Sequence, residues 1–132
     1  MRTRVAASRT LILSGPASLE LIDGKASALG ARLKNGLRLI VRKERQIPIE
    51  FIQDSIVDIW TGADARCEEV AGSTTNIWRS TLETIAHMGQ GLIVILGGVD
   101  TGKSTLCMYL ANNLIEQGHT VAVIDTDPGQ SD

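Results

Sequence analysis

LIVILGGVDTGKST, residues 92–105, joins an unbroken aliphatic run to a glycine-rich loop. Such a run, bounded by glycine, is typical of a strand that is buried on both faces of a parallel sheet. Beyond the loop, Leu106, Leu110 and Leu114 recur at helical spacing, and Gly118 follows them. This pattern predicts an amphipathic helix that ends at the glycine. A second aliphatic run comes next, at residues 121–124, and the order strand, loop, helix, strand predicts the start of a parallel α/β sheet.

The loop itself, GGVDTGKST, fits the Walker A spacing GxxxxGK[ST]. Glycine lets the chain curl tightly enough for several backbone N–H groups to converge on a phosphate chain, and the following helix adds the positive end of its dipole. Lys103 is expected to bind the β- and γ-phosphates, Ser104 to ligate Mg²⁺, and Thr105 to lie beside the α-phosphate. The predicted nucleotide-binding residues are Gly97, Gly98, Val99, Asp100, Thr101, Gly102, Lys103, Ser104 and Thr105.

Two carboxylates follow the second aliphatic run, Asp125 and Asp127. In open parallel sheets ligands bind at the carboxyl ends of the strands, so these side chains are expected to face the phosphates. A carboxylate there can orient Mg²⁺ or accept a proton from a hydroxyl nucleophile. The alternative is that Asp-Pro-Gly is only a polar turn. The predicted metal ligands are Ser104, Asp125 and Asp127, and the predicted catalytic residues are Lys103 and Asp127.

The first half of the chain has a different pattern, of short β-like runs separated by Gly, Asp, Asn and Pro turn signals. In residues 47–52 the side chains alternate as in a half-buried strand. The spacing predicts a small antiparallel sandwich or barrel with a mostly aliphatic core. The five predicted strands are residues 9–14, 17–22, 37–43, 47–52 and 55–60.

These patterns divide the chain into three parts. Residues 1–72 are predicted to form the β domain, and residues 73–90 a linker and a helix over Ile77 to Met88 with Asn76 as its N-cap. Residues 91–132 are predicted to begin a P-loop domain. The predicted fold class is therefore α/β, with a small N-terminal antiparallel β domain followed by the first β-loop-α-β unit of a P-loop NTPase, an incomplete parallel sheet.

Composition excludes several classes of protein. With 43% hydrophobic and 21% charged residues and a net charge of −2, the chain is expected to fold and not to bind nucleic acid strongly without specificity. It has neither an apolar run of the ~20 residues needed to span a bilayer nor an N-terminal secretory signal, so the expected location is cytoplasmic. Cys67 and Cys107 are far apart in the sequence and are predicted to be reduced. Basic residues in RLIVRKER, 38–45, suggest either a local patch or a solvated strand face.

The segment ILGGVDTGKSTLCMYLANNLIEQGHTVAVIDTDPGQSD, residues 95–132, closely resembles the Clp/Grc-type polynucleotide 5′-hydroxyl kinases, particularly their archaeal members. In that family a GG-V-D-(S/T)-GKST loop precedes a strand that ends in D-x-D-x-G-Q. The first half of the chain is similar to the family's N-terminal β domain, although it carries no specific motif.

The resemblance implies ATP-dependent phosphorylation of the 5′-hydroxyl end of RNA, with DNA as a further substrate. It implies that Gly97 to Ser104 hold ATP, that Lys103 and Ser104 with Mg²⁺ neutralise the γ-phosphate, and that Asp127 activates the 5′-hydroxyl. Gln130 is expected to line the site. The implied cofactors are ATP and Mg²⁺, the implied partner is 5′-hydroxyl RNA, and no membrane partner is expected.

Members of this family continue past D-x-D-x-G-Q with further parallel strands, substrate-clasping elements and an arginine-bearing lid. The chain is therefore expected to be the front part of a longer kinase and to lack transferase activity alone. Two alternatives remain open. One is a non-catalytic, ATP-bound scaffold subunit in RNA processing, and the other is a MinD/ParA-type ATPase, whose second strand also tends to end in D-x-D-P.

Overall fold

The computed structural model of the chain describes residues 1–99 and 101–126. The chain divides into two compact units, Met1–Ile77 and Trp78–Asp132. The described elements are strands β1 (Arg2–Val5), β2 (Arg9–Ser14), β3 (Ala17–Asp23), β4 (Ala26–Ala28), β5 (Ala31–Arg32), β6 (Arg38–Val41), β7 (Gln46–Phe51), β8 (Ser55–Thr61) and β9 (Arg66–Ala71), a 3-10 turn (Asn76–Trp78), and helices α1 (Arg79–Met88) and α2 (Lys103–Glu116).

The first unit consists of two antiparallel sheets that share one apolar core. One sheet has the strand order β1-β8-β3-β6 and the other β5-β4-β7-β2-β9. In β3 and β8 alternate residues are buried, which is the period-2 geometry of a strand with one buried face. The buried core residues are Val5, Leu11, Leu13, Ala17, Leu19, Leu21, Ala26, Ala28, Val41, Ile49, Phe51, Val57 and Ile59. The predicted small antiparallel β domain with an aliphatic core is confirmed.

All five strands predicted from the sequence are present, as β2, β3, β6, β7 and β8. The other four strands were not predicted. Strands β4 and β5 contain only two or three residues each, mostly alanine, serine and arginine, which have little intrinsic strand preference. Strand β9 is an edge strand with two glutamates, and charge on an edge strand limits pairing with other chains at the cost of a clear apolar pattern.

A carboxylate fastens the connector after β9 to the β domain. Glu50 on β7 accepts hydrogen bonds from the hydroxyls of Ser73 and Thr75, at 2.5 and 2.7 Å, and Thr75 is buried. Thr10 on the neighbouring strand donates its hydroxyl proton to the carbonyl of Gly72. These side-chain bonds satisfy polar groups that the fold removes from water, which is the condition for burying them without penalty.

The helix after the connector begins later than its sequence predicted. Asn76, the predicted N-cap, opens a 3-10 turn, and α1 starts at Arg79 with Trp78 in the N-cap position. Short 3-10 turns are frequent at helix N-termini, and this one contains Ile77 and Trp78, the first two residues of the predicted α-helix. Ile77 is consequently exposed.

The second unit is built on the packing of α1 against α2. Leu82 of α1 and Tyr109 and Leu110 of α2 form a small apolar cluster with Trp78, Ile85, Ile95, Leu106 and Leu114. The apolar stripe predicted for α2, Leu106, Leu110 and Leu114, is therefore confirmed. The α2 stripe ends before Gly118, whose φ of 90° is readily adopted by glycine.

The predicted parallel strands are the main error of the sequence analysis. Within the described residues, neither 92–96 nor 121–124 forms a strand, and Leu92 and Ile124 are 85% and 82% exposed. An aliphatic strand of this type is stable only when both of its faces are covered and its backbone is paired with neighbours. The second unit supplies two helices and no sheet among the residues described, so the two runs have no strand with which to pair.

Two further sequence predictions concern membrane-spanning segments and the state of the two cysteines. No helix in the described part is both long and apolar enough to cross a membrane. Cys67 and Cys107 are both free, as predicted.

Gly24 and Gly36 provide a test of the packing of the β domain. Both have positive φ, 110° and 77°, but a Cβ on Gly24 would lie 2.7 Å from Ser55 Cα, whereas a Cβ on Gly36 meets nothing within 4 Å. We expect Gly24→Ala to lower the free energy of unfolding by about 2–4 kcal/mol, from backbone strain plus overpacking. Gly36→Ala should cost only about 1 kcal/mol, from strain alone. Urea unfolding of both variants measures the difference, and equal losses would contradict the packing described here.

Candidate nucleotide-binding loop

The loop before α2 turns at Gly102, which adopts the left-handed conformation with φ 84° and ψ 18°. A residue with a β-carbon is disfavoured there, whereas glycine adopts this conformation freely. The turn brings the chain into α2 at Lys103, immediately after the loop. The left-handed backbone conformation therefore explains why residue 102 of the motif is glycine.

The N-terminus of α2 presents backbone donors that the helix does not use. The first intrahelical bond at this end runs from the N–H of Leu106 to the carbonyl of Gly102, so the N–H groups of residues 102–105 precede the helical pattern. Gly102, the N-cap residue, supplies no side-chain capping bond. Four N–H groups at the positive end of a helix dipole fit an anion such as a phosphate.

Two side chains organise the loop around one carbonyl oxygen. The Gly98 oxygen accepts a hydrogen bond from Lys103 Nζ at 2.6 Å and another from Thr101 Oγ1 at 2.8 Å. The ammonium of Lys103 has three donors, so two remain for phosphate oxygens while the third holds the loop. The lysine therefore lies over the loop that is predicted to bind the phosphates.

Gly97 lies where a side chain would disturb this arrangement. A Cβ at this residue would be 2.8 Å from Thr101 Oγ1 and 3.4 Å from Lys103 Cγ. At Gly98 the nearest atom would be Thr101 Cγ2 at 3.7 Å, an ordinary contact. A side chain at Gly97 would therefore displace the Thr101 hydroxyl, whereas a side chain at Gly98 would not.

Helix α2 is held in place by its buried face. Tyr109 is 7% exposed, and its ring lies 5.4 Å from that of Trp78, centroid to centroid, with the planes at 55°. Tilted aromatic pairs of this type add about 0.5–1.5 kcal/mol beyond their burial. The tyrosine therefore has a packing role, and it helps to fix the helix that carries Lys103.

The remaining predicted site residues have different positions. Val99 and Ser104 are exposed and Thr105 is half-buried, all beside the loop, and Asp125 is exposed after the second aliphatic run. Asp100, Asp127 and Gln130 lie outside the described residues. Among the residues that are described, no group of three or more His, Cys, Asp or Glu side chains could hold a metal ion, so the predicted Mg²⁺ ligand set stays a prediction.

Sequence reasoning assigned Thr101 to the loop but did not foresee its structural part. The threonine hydroxyl bonds to the Gly98 carbonyl three residues earlier, which is the usual local bond of a threonine in a turn. A threonine directly before the final glycine and lysine of the motif is the signal that could have indicated this bond.

The spacing and geometry are those of a P-loop segment, and comparison with known proteins shows which family this segment resembles. Residues 97–132 match the family model described as the P-loop of the mRNA cleavage and polyadenylation factor CLP1. Polyribonucleotide 5′-hydroxyl-kinases from Pyrococcus furiosus and Methanocaldococcus jannaschii are 58% and 55% identical over 38 residues, 29% of this chain. The resemblance to the Clp/Grc-type polynucleotide 5′-hydroxyl kinases is confirmed.

Longer but weaker matches extend over the β domain. A CLP1 homolog from Brugia malayi is 23% identical over 90% of this chain and 30% of its own length. A solved Clp1p–Pcf11p complex has a TM-score of 0.68 at 13% identity and covers 88% of this chain and 29% of that one. These similarities show a shared fold. The matched part spans 11% of the Pyrococcus furiosus kinase and about a third of the CLP1 homolog.

The two adjacent glycines of the loop give a matched test of the site. We expect Gly97→Ala to displace the Thr101 hydroxyl from the Gly98 carbonyl and to weaken Mg²⁺-ATP binding by about threefold to tenfold, the value of one hydrogen bond. Gly98→Ala should bind with nearly the wild-type affinity. Equilibrium titration of both variants with a fluorescent ATP analogue measures the effect, and the reverse order of affinities would show that this loop geometry is not the binding one.

Proposed function

We propose that this chain supplies the ATP-binding part of a polynucleotide 5′-hydroxyl kinase, which transfers the γ-phosphate of ATP to the 5′-hydroxyl end of RNA, and of DNA as a second substrate. The observation that carries the proposal is the loop of residues 97–105, in which free helix N–H groups and the Lys103 ammonium lie together. The similarity of the same segment to archaeal polyribonucleotide 5′-hydroxyl-kinases supports this substrate class.

The proposed mechanism uses few reactive side chains. Backbone N–H groups of residues 102–105 hold the phosphates, and Lys103 shares its donors between the Gly98 carbonyl and the β- and γ-phosphate oxygens. Bound Mg²⁺ would neutralise charge on the phosphates, with Ser104 as the ligand from this loop. Phosphoryl transfer requires mainly alignment and charge stabilisation, and these residues supply both on the ATP side.

The acceptor side of the reaction is assigned to the motif after α2. Asp127 is proposed to accept the proton of the attacking 5′-hydroxyl, Asp125 to assist at the metal, and Gln130 to line the site. The proton leaves the hydroxyl oxygen as that oxygen bonds to the γ-phosphorus, and the bond from phosphorus to the ADP oxygen breaks. These roles follow from the family motif in residues 125–130.

We further propose that residues 1–132 do not catalyse transfer alone. Residues 92–96 and 121–124 are apolar and unpaired in the second unit, so a stable parallel sheet requires further strands. The relatives contain about three times the length that this chain matches, and their remaining length is the proposed source of these strands.

A second candidate function is an ATP-bound scaffold subunit that binds a protein partner. It is favoured by the fold similarity to Clp1p, which has been solved together with Pcf11p. Another Clp1p structure, with a TM-score of 0.70 at 12% identity, concerns ATP loss in a point mutant. A scaffold would retain ATP binding and lack phosphate transfer, so one transfer assay separates the two candidates. A MinD/ParA-type ATPase, the remaining alternative, would instead show DNA-stimulated ATP hydrolysis.

A chimera tests the proposed function without depending on the rest of the chain. Residues 97–132 would replace the corresponding segment of the Pyrococcus furiosus kinase, which is 58% identical over 38 residues here. We expect the chimera to phosphorylate a 5′-hydroxyl oligoribonucleotide from labelled ATP at a rate within about tenfold of the parent kinase. Introducing Lys103→Ala should reduce the rate by about 10²-fold or more, because charge stabilisation at the γ-phosphate is lost.

A control variant and two further measurements, of ATP binding and of thermal melting, make the result of the chimera interpretable. Lys103→Arg keeps the charge but not the compact ammonium, and it should remain well below the wild-type chimera. An inactive chimera that still binds ATP and melts like the parent would contradict the kinase proposal and favour the scaffold.

A further inference from the structure

The outer face of the sheet β1-β8-β3-β6 carries an exposed aromatic and basic surface that the nucleotide site does not use. On β3 the small side chain of Ser18 lies between Ile40 of β6 and Trp60 of β8, its two cross-strand neighbours. Because serine is short and its neighbours are large, a depression of about 420 Å³ forms there, lined also by Pro16 and Arg42. Trp60 is 40% exposed and Ile40 is 68% exposed.

Arg38 extends the aromatic surface. Its guanidinium lies 4.2 Å from the centroid of the Trp60 ring, the geometry of a cation–π contact. Glu20, on the strand between them, approaches Arg38 only at 3.7 Å. A guanidinium plane stacked on an indole offers a flat, positively charged platform, and such planes stack nucleobases in protein–RNA complexes.

The charges on this face are unevenly paired. At the β1 end, Arg2 binds Asp58 at 2.7 Å and Arg4 binds Asp54 at 2.9 Å. The hydrogen bond from Arg2 keeps the pKa of Asp58 below its ordinary value. At the β6 end, Arg42 and Lys43 are exposed, and no salt bridge to either is found among the residues described. The positive excess therefore lies at the edge of the depression and not across the whole face.

We propose that this face, comprising Ser18, Arg38, Ile40, Arg42 and Trp60, with the exposed Lys43 next to Arg42 in the chain, binds a single-stranded polynucleotide. Trp60 and Arg38 stack unpaired bases, and Arg42 and Lys43 contact the phosphates beside them. Stacking with adjacent positive charge is the general mode of single-strand recognition. A duplex is disfavoured because its base faces are already stacked on one another. The proposal uses only residues of the first unit and does not rest on the proposed kinase function.

The test is fluorescence anisotropy of a labelled oligouridylate of about twelve nucleotides, titrated with the 132-residue chain. We expect Trp60→Leu to weaken binding by about tenfold or more, because one stacked base is lost. Trp60→Phe, which keeps an aromatic face, should restore most of the affinity. Thermal melting of each variant establishes that the β domain is intact. Loss of affinity in the leucine variant without rescue by phenylalanine would overturn stacking as the mode of binding.

Salt dependence tests the basic part of the surface. For single strands the slope of log K against log[salt] is about −0.7 per phosphate contacted. The double variant Arg42→Ala with Lys43→Ala should therefore reduce the magnitude of that slope by about 1.4. A matched control, Arg32→Ala with Lys34→Ala, removes two exposed basic side chains outside the proposed surface and should leave affinity and slope unchanged.

Three results would overturn the proposal. The first is the absence of binding at low salt, which would leave this face to a protein partner. The second is an equal change of slope in the control variant, which would mean that binding is non-specific. The third is loss of RNA binding in Lys103→Ala, which would place the polynucleotide on the P-loop. Retention of RNA binding in Lys103→Ala, together with loss of ATP binding, would support two separate sites.

Discussion

Each half of this protein depends on the same constraint, that an apolar strand must have its faces covered and its backbone hydrogen bonds paired. The β domain satisfies it within the chain. Two antiparallel sheets bury one aliphatic core, in which Leu13, Leu19 and Ile49 are fully enclosed. Each fully buried aliphatic side chain contributes about 1.5–3 kcal/mol relative to exposure. No disulfide or metal contributes among the residues that the structure describes.

In the second unit, apolar side chains are covered mainly where the two helices pack against each other. The cluster of Leu82, Tyr109 and Leu110 fixes α2 against α1, and α2 in turn fixes the donors at its N-terminus. The loop of residues 97–105 is therefore organised by helix packing and by two hydrogen bonds to the Gly98 carbonyl. The aliphatic runs on either side of this assembly are mostly exposed, although Ile95 packs against the helix cluster. The order of the loop thus does not depend on pairing of these two runs into a sheet.

The sequence predicted those features that local chemistry determines. Alternation in residues 47–52 and helical spacing in α2 each depend on residues close together in the chain, and both predictions agree with the structure. The Walker A spacing is equally local, and the nucleotide binding that it indicates stays a prediction. Strand β9 was missed because its side chains are nearly all exposed and charge replaces the apolar pattern. The runs at 92–96 and 121–124 were assigned to strands because their composition fits a buried sheet, but composition does not supply the neighbours that such a sheet needs.

The site was predictable to a similar extent. The glycines and Lys103 followed from the motif, whereas the Gly98 carbonyl as the common acceptor for Thr101 and Lys103 required coordinates. The outer-face stack of Arg38 on Trp60 joins residues 22 positions apart on two strands. The sequence indicated only that residues 38–45 are basic, because it does not show which strands are neighbours.

Every role proposed for the second unit requires the loop of residues 97–105 to bind ATP through Lys103 and the N-terminus of α2. Isothermal titration of the chain with Mg²⁺-ATP, beside Lys103→Ala and the exposed-lysine control Lys34→Ala, measures this binding. We expect one site per chain, an affinity at least tenfold weaker in Lys103→Ala, and no change in Lys34→Ala. Equal affinities for the wild type and Lys103→Ala, or no binding by a folded wild-type chain, would contradict it.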